Sequence, residues 1–144
     1  MPAQAKNTGK KAFIVTSFPE DFEILVSSLK LLDENSIGYE VFNEVKPNPT
    51  CTLADRIDKI FLKKDCDYLI GSGGGSSIDF AKVVAVRAAH SKDIWNYVFL
   101  DYRDALEITG STFPVIAIPA TDGTGSEVTR WAVLTNPETY EKSF

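Results

Sequence analysis

The stretch Asp67-Tyr68-Leu69-Ile70-Gly71-Ser72-Gly73-Gly74-Gly75-Ser76-Ser77-Ile78-Asp79 decides how the chain folds. Its first part, 67–71, is a short apolar run bounded by glycine and reads as a buried strand. A glycine-rich turn over 71–77 follows, and a helix is expected from about Ile78 to Ala89. Glycine permits positive φ and lets a ligand come close to the main chain. The head of the following helix offers unpaired N–H groups and a partial positive charge. A pyrophosphate suits such a place, and Ser76 and Ser77 add hydroxyls to it. A turn that only packs a helix on a strand rarely needs three successive glycines. The spacing is not GxGxxG, because Ser76 stands where the third glycine would fall. Nor is it a P-loop, because no Gly-Lys-Ser/Thr follows.

Working outward, strands and helices alternate. Residues 11–16 (KAFIVT) read as a strand, and Pro19, Glu20 and Asp21 open a helix with the face Phe22, Leu25, Val26, Leu29 and Leu32. Residues 39–43 alternate as a second strand. Thr50 or Thr52 caps a second helix whose face is Leu53, Ile57, Ile60 and Phe61. Residues 90–112 lack a clear period and read as a long connection with some helix. A fourth strand, 113–118, ends at Pro119. A second Gly/Thr/Ser-rich turn, 120–127, follows, and 131–135 (WAVLT) reads as a strand leading to a turn at Asn136–Thr139. Alternation of this kind argues for an α/β fold, an open parallel sheet with helices on both faces and a partial β-hairpin at its end. Both glycine-rich turns then share the carboxyl edge of the sheet, where ligands of such sheets bind. Taken alone, the second turn reads equally well as a capped helix start, since Thr124 and Glu127 have capping-box spacing. Asp79, in the first turn of its helix, suits the helix dipole or a hydrogen bond from a ligand.

Composition narrows the function classes. The chain has 144 residues, 44% apolar and 24% charged, with a net charge of −5. That is one domain of ordinary globular make-up, with residues 1–10 expected to form a flexible N-terminus and 11–144 the domain. No basic block speaks for nucleic acid. No apolar run of about 18 residues or signal-peptide core speaks for a membrane or for export. The two cysteines, Cys51 and Cys66, lack CxxC spacing and read as free thiols in a reducing cytoplasm. His90 is the one histidine, which limits any metal chemistry; at the polar end of a helix it reads as a surface residue.

Three segments carry a resemblance. They are Pro47-Asn48-Pro49-Thr50, then Gly73-Gly74-Gly75-Ser76-Ser77-Ile78-Asp79-Phe80-Ala81-Lys82, and Ile118-Pro119-Ala120-Thr121-Asp122-Gly123-Thr124-Gly125-Ser126-Glu127-Val128-Thr129. In order and spacing the chain resembles the N-terminal NAD(P)-binding domain of the iron-containing (group III) alcohol dehydrogenases, from about Lys11 to the end. The resemblance implies a Rossmann-like, dehydroquinate synthase-like fold without GxGxxG. It implies that Gly75 and Ser76 meet the cofactor pyrophosphate, and that Asn48, Gly74, Asp79, Thr121, Gly123, Thr124 and Ser126 line the rest of the site. Lys142 falls where the family has a lysine that reaches the cofactor. Ser17 falls where many NAD-preferring members have an aspartate that holds the adenosine ribose. Without that carboxylate a 2′-phosphate is not repelled, so the cofactor, NAD or NADP, leans toward NADP.

The resemblance also implies what the sequence lacks. The usual Thr-Thr pair is Ala120-Thr121 here, and Asp122 adds negative charge beside a phosphate site. The family holds Fe²⁺ or Zn²⁺ with one Asp and three His on a helical C-terminal domain. That domain is expected to be absent from this chain, which would be a truncated portion without catalytic or metal-ligating residues of its own and incomplete at its C-terminal end. The implied activity is that of the parent: hydride transfer between a small alcohol or aldehyde and a nicotinamide cofactor, the chain by itself being inactive. A non-catalytic nucleotide-binding or interaction module, pairing its apolar faces with a partner or with itself as a homo-oligomer, is the alternative, and a glycerol dehydrogenase-like relative is another.

Overall fold

Four parallel strands and three helices form the body of the chain in a computed structural model, which describes residues 4–5 and 8–144. The strands are β1 (Lys11–Thr16), β2 (Gly38–Phe42), β3 (Tyr68–Gly73) and β4 (Val115–Pro119), and the helices are α1 (Glu23–Glu34), α2 (Cys51–Lys63) and α3 (Gly75–Ala89). The sheet order is β2-β1-β3-β4. All three pairings are parallel, with Ile14 opposite Val41 on one side and Ile70 on the other. The chain thus moves outward from β1 to β2 and then reverses to β3. This puts the topological switch point, the crevice where open α/β sheets take ligands, between the ends of β1 and β3.

Two cores form because side chains of a strand alternate between faces. Phe13, Val15 and Leu69 pack under α2 and α3 with Ile57, Phe61, Phe80 and Val84. Ala12, Ile14, Tyr68 and Ile70 pack on the other face with Leu25 and Leu32 of α1. Each such Val, Leu, Ile or Phe side chain, fully buried, contributes about 1.5–3 kcal/mol. Thr50 caps α2, its side chain accepting a hydrogen bond from the Leu53 amide at 3.3 Å. Arg87 then joins α2 to α3. Its Nε lies 2.5 Å from Asp55 Oδ1, its Nη1 lies 3.3 Å from Asp58 Oδ2, and Nη1 also donates to the His90 carbonyl at 3.0 Å. Burial opposes the Arg87 charge, but the Asp55 hydrogen bond and the Asp58 charge outweigh it, so its pKa stands raised.

Several boundaries differ from the sequence reading. The Pro19–Phe22 segment is a turn, closed by the Phe22 amide on the Pro19 carbonyl, and α1 begins only at Glu23. Phe22 and Val26 are exposed rather than on the buried face, although Phe22 stacks on Phe18. Ile60 is likewise exposed. Within 90–112 a short 3₁₀ helix covers Ile94–Tyr97. The strand expected at 131–135 pairs only over β5 (Leu134–Thr135), with β6 (Lys142–Ser143) returning antiparallel to it. The hairpin is held to the loop before α2, the Thr135 amide donating to the Pro49 carbonyl at 2.9 Å. Of the expected flexible N-terminus, residues 1–3, 6 and 7 lie outside the described residues. Ala5 is buried against the α1 face, and the Lys10 and Lys11 amides both donate to Asp67 Oδ2. Among the described residues no helix is long and apolar enough to cross a membrane.

Candidate functional site

The glycine-rich turn lies at the switch point. β3 runs two residues further than its apolar pattern suggests, to Gly73, and α3 starts at Gly75, three residues earlier than Ile78. Gly73 has φ +137°, a conformation that side chains disfavour, and a Cβ there would stand 2.9 Å from Ser77 Oγ. Beyond it, the amides of Gly74, Gly75 and Ser76 find no acceptor among the described residues; the first amide of the turn bonded to its own chain is that of Ser77, on the Gly74 carbonyl at 3.0 Å. Three free N–H groups at the head of a fifteen-residue helix make an anion cradle. This is the arrangement read from the glycine run.

The second turn stands against the first. Ala120 donates its amide to the Gly73 carbonyl at 2.9 Å. A Cβ on Gly75 would stand 3.1 Å from Ser126 Oγ and 3.3 Å from Thr124 Cβ, and one on Gly74 would stand 3.4 Å from Thr121 Oγ1. Thus Gly74, Gly75, Thr121, Thr124 and Ser126 come together. The capping box does not form: Thr124 Oγ1 accepts from the Ser126 amide at 3.4 Å, and Ser126–Val128 is a single 3₁₀ turn entered through Gly125 at φ +65°. Gly123, at φ +85°, is exposed at the tip. On the other side of the crevice, Ser77 Oγ donates to Ser17 Oγ at 3.3 Å, joining the end of β1 to the head of α3.

Asn48 and Lys142 form a separate pair. Lys142 Nζ donates to Asn48 Oδ1 at 2.7 Å across 94 positions of sequence, and no hydrogen bond joins that pair to the two turns among the described residues. Asp79 is buried, and both its oxygens have partners: Oδ2 accepts from the Val133 amide at 3.0 Å, and Oδ1 lies 3.4 Å from Lys82 Nζ. A cavity of about 340 Å³ between α3 and the second turn is lined by Asp79, Thr124, Ser126, Trp131 and Val133 among others. His90 closes the far end of α3 with both ring nitrogens on backbone carbonyls, Nδ1 at 2.8 Å from Val86 O and Nε2 at 2.9 Å from Thr109 O.

A family model described as iron-containing alcohol dehydrogenase matches residues 1–144, the stretch that includes both glycine-rich turns. The chain belongs to the iron-containing alcohol dehydrogenase family. Within this family, the choline dehydrogenase of Bacillus subtilis (strain 168) is 38% identical over 130 residues, which cover 89% of this chain and 32% of that protein. The NAD-dependent methanol dehydrogenase of Bacillus methanolicus is 34% identical over 128 residues, 88% of this chain and 32% of that protein. Among solved structures, an archaeal halo-thermophilic Red Sea brine pool alcohol dehydrogenase aligns with a TM-score of 0.91 at 37% identity, covering 99% of this chain and 38% of that one. The chain therefore spans 32% of the length of these curated relatives and is an α/β domain of the iron-containing alcohol dehydrogenase kind.

Two contacts of this alcohol dehydrogenase domain escaped the sequence reading. Ser77 was read as a hydroxyl for the ligand or a cap of the helix, and its bridge to Ser17 was not foreseen. Lys82, read only as part of a motif, donates to the Trp131 carbonyl at 2.7 Å. Its place three residues after Asp79 on a helix was the available signal.

Proposed function

We propose that this chain is the cofactor-holding part of an alcohol:NAD(P) oxidoreductase acting on a small alcohol or aldehyde. The observation that carries the reading is the set of unbonded amides at Gly74, Gly75 and Ser76, set at a helix head. A diphosphate there takes hydrogen bonds from the main chain and gains from the helix dipole. Gly75 leaves open a space that a Cβ would fill, beside Ser126 and Thr124, so the second turn can hold the same ligand from its other side. Asn48, Thr121, Gly123 and Lys142 extend the site, Lys142 as a mobile point charge for a phosphate or ribose oxygen. At the adenosine end Ser17 offers a hydroxyl in place of a carboxylate, and so admits NADP beside NAD.

Bound in this way, the cofactor supplies the nicotinamide carbon that takes or gives the hydride. The chain's own part is to hold the diphosphate and so orient the ring. The residues present do not fit the family's metal ion. No group of three or more His, Cys, Asp or Glu suited to a metal occurs among the described residues, and both nitrogens of His90 already face carbonyls. We assign no step of the reaction to a metal held by this chain.

Calorimetry of the chain with NAD⁺ and with NADP⁺ tests the assignment, against a Gly75→Val variant. Saturable binding of either dinucleotide is expected, weakened by about tenfold or more in the variant: the valine keeps its amide, but its side chain fills the space beside Ser126 and Thr124 and holds the diphosphate off the main-chain donors, and loss of one charge-assisted hydrogen bond costs about 1.5–3 kcal/mol. Equal binding to both proteins would remove the glycine turn from the site.

A further inference from the structure

Lys82 and Asp79 sit one helical turn apart on α3, and together they grip one short piece of main chain. Lys82 Nζ donates to the Trp131 carbonyl at 2.7 Å, while Asp79 Oδ2 accepts from the Val133 amide at 3.0 Å. In a β-ladder the carbonyl of residue 131 and the amide of residue 133 would be satisfied by a single residue of a neighbouring strand. Here an ammonium and a carboxylate take the place of that residue. The two side chains are themselves paired at 3.4 Å and are 16% and 11% exposed, while the Trp131 end of the segment they hold is exposed.

We propose that Asp79 and Lys82 are positioning residues of the dinucleotide site: a two-pronged latch that fixes the 131–133 segment to α3, and so presses the second turn against the first. This rests on the reading of the glycine turns as the diphosphate site. The geometry leaves Asp79 little capacity for a direct contact, because both oxygens are engaged within the chain. Trp131 and Val133 line the 340 Å³ cavity together with Thr124 and Ser126, and Ser126 in turn lies where the absent Cβ of Gly75 would meet it. Release of the segment would let Thr124 and Ser126 retreat from the cradle. The ammonium has a second effect. It offsets the Asp79 charge, which would otherwise stand uncompensated one turn below a bound diphosphate.

The test reads the latch and the ligand separately on the 144-residue chain. Amide hydrogen exchange at Val133, measured without ligand, is compared with NAD(P)⁺ affinity in Asp79→Ala, Asp79→Asn, Lys82→Met and Lys82→Arg. In Asp79→Ala and Lys82→Met, exchange at Val133 should rise and dinucleotide affinity should fall, each by about tenfold, the scale of a charge-assisted hydrogen bond. Asn, which keeps an acceptor, and Arg, which keeps a donor, should restore much of both. The double variant should weaken binding little more than either single one, because one latch is broken in each case. Circular dichroism identifies any variant that has merely failed to fold, and the conservative pair then decides. Weaker binding in Asp79→Ala with unchanged Val133 exchange and a normal Lys82→Met would mean direct contact by Asp79 and would overturn the latch. Faster exchange with unchanged affinity would leave a purely structural clip and overturn the positioning role. Should the unaltered chain bind no dinucleotide, the diphosphate reading and the positioning role fail together, while the Val133 exchange series still reports whether the clip exists.

Discussion

A single hydroxyl at the end of β1 bears on cofactor choice. Ser17 is exposed at the mouth of the crevice and bonded to Ser77, so it places no negative charge where an adenosine 2′-phosphate would lie. Two unit charges about 4 Å apart interact by about 1 kcal/mol in bulk water and about 4 kcal/mol near a protein surface. Ser17→Asp should therefore shift the ratio of NAD⁺ to NADP⁺ affinity toward NAD⁺ by about tenfold, read by calorimetry with each. An unchanged ratio would place the adenosine elsewhere. Gly75 works in the opposite manner, through a side chain it does not have: the space it leaves is bounded by Ser126 and Thr124, and it is there that the proposed site has both turns meet one ligand.

Among the elements, the pairing of α2 with α3 depends on Arg87. Removing its charge strands Asp58, whose side chain is 5% exposed, and breaking one partner of a buried pair typically costs about 3–5 kcal/mol. Arg87→Met is expected to lower the unfolding free energy read from urea denaturation by an amount of that order; a loss below about 1 kcal/mol would make the pair an ordinary surface contact. The order of elements was legible in the sequence because β1 and β3 are short apolar runs bounded by turn residues, 39–43 alternates, and α1 and α2 each carry apolar residues at helical spacing. Boundaries were less so. Glycines at 73–75 argue against regular structure by propensity, yet β3 continues to Gly73 and α3 starts at Gly75, because tertiary contacts override propensity there. The 131–133 segment reads as a strand but has side chains for a partner instead of a ladder. Such side-chain-to-backbone bonds leave no period to find. For the same reason the free amides of the first turn were legible and the bonds of Asp79 and Lys82 to the 131–133 segment were not: three consecutive glycines announce themselves, whereas Lys82 looks like any helix lysine.

For the molecule as a whole, alkaline pH probes the packing of the sheet. Burial pushes the Cys66 thiol up from 9.0 to about 11, against a smaller opposing pull from Lys11, and burial also raises the Tyr68 hydroxyl. A group whose folded pKa is raised contributes stability that is intact below its unfolded pKa and lost as pH climbs toward the folded one. For Cys66 that window is pH 9 to about 11. Unfolding free energy should decline across it by an amount on the order of 2 kcal/mol, and Cys66→Ala should flatten part of that decline; identical slopes in the two proteins would contradict the burial of the thiol. The proposed cofactor site lies at the other end of the sheet, where parallel strands bring β1, β3 and β4 to one edge and the two turns stand against each other. The account stands most directly on the amides of Gly74, Gly75 and Ser76. A ¹H–¹⁵N correlation spectrum of the chain, titrated with NAD(P)⁺, observes them one by one. These three resonances should move furthest and saturate together with binding measured by calorimetry. Binding that leaves them in place, while amides elsewhere shift, would contradict it.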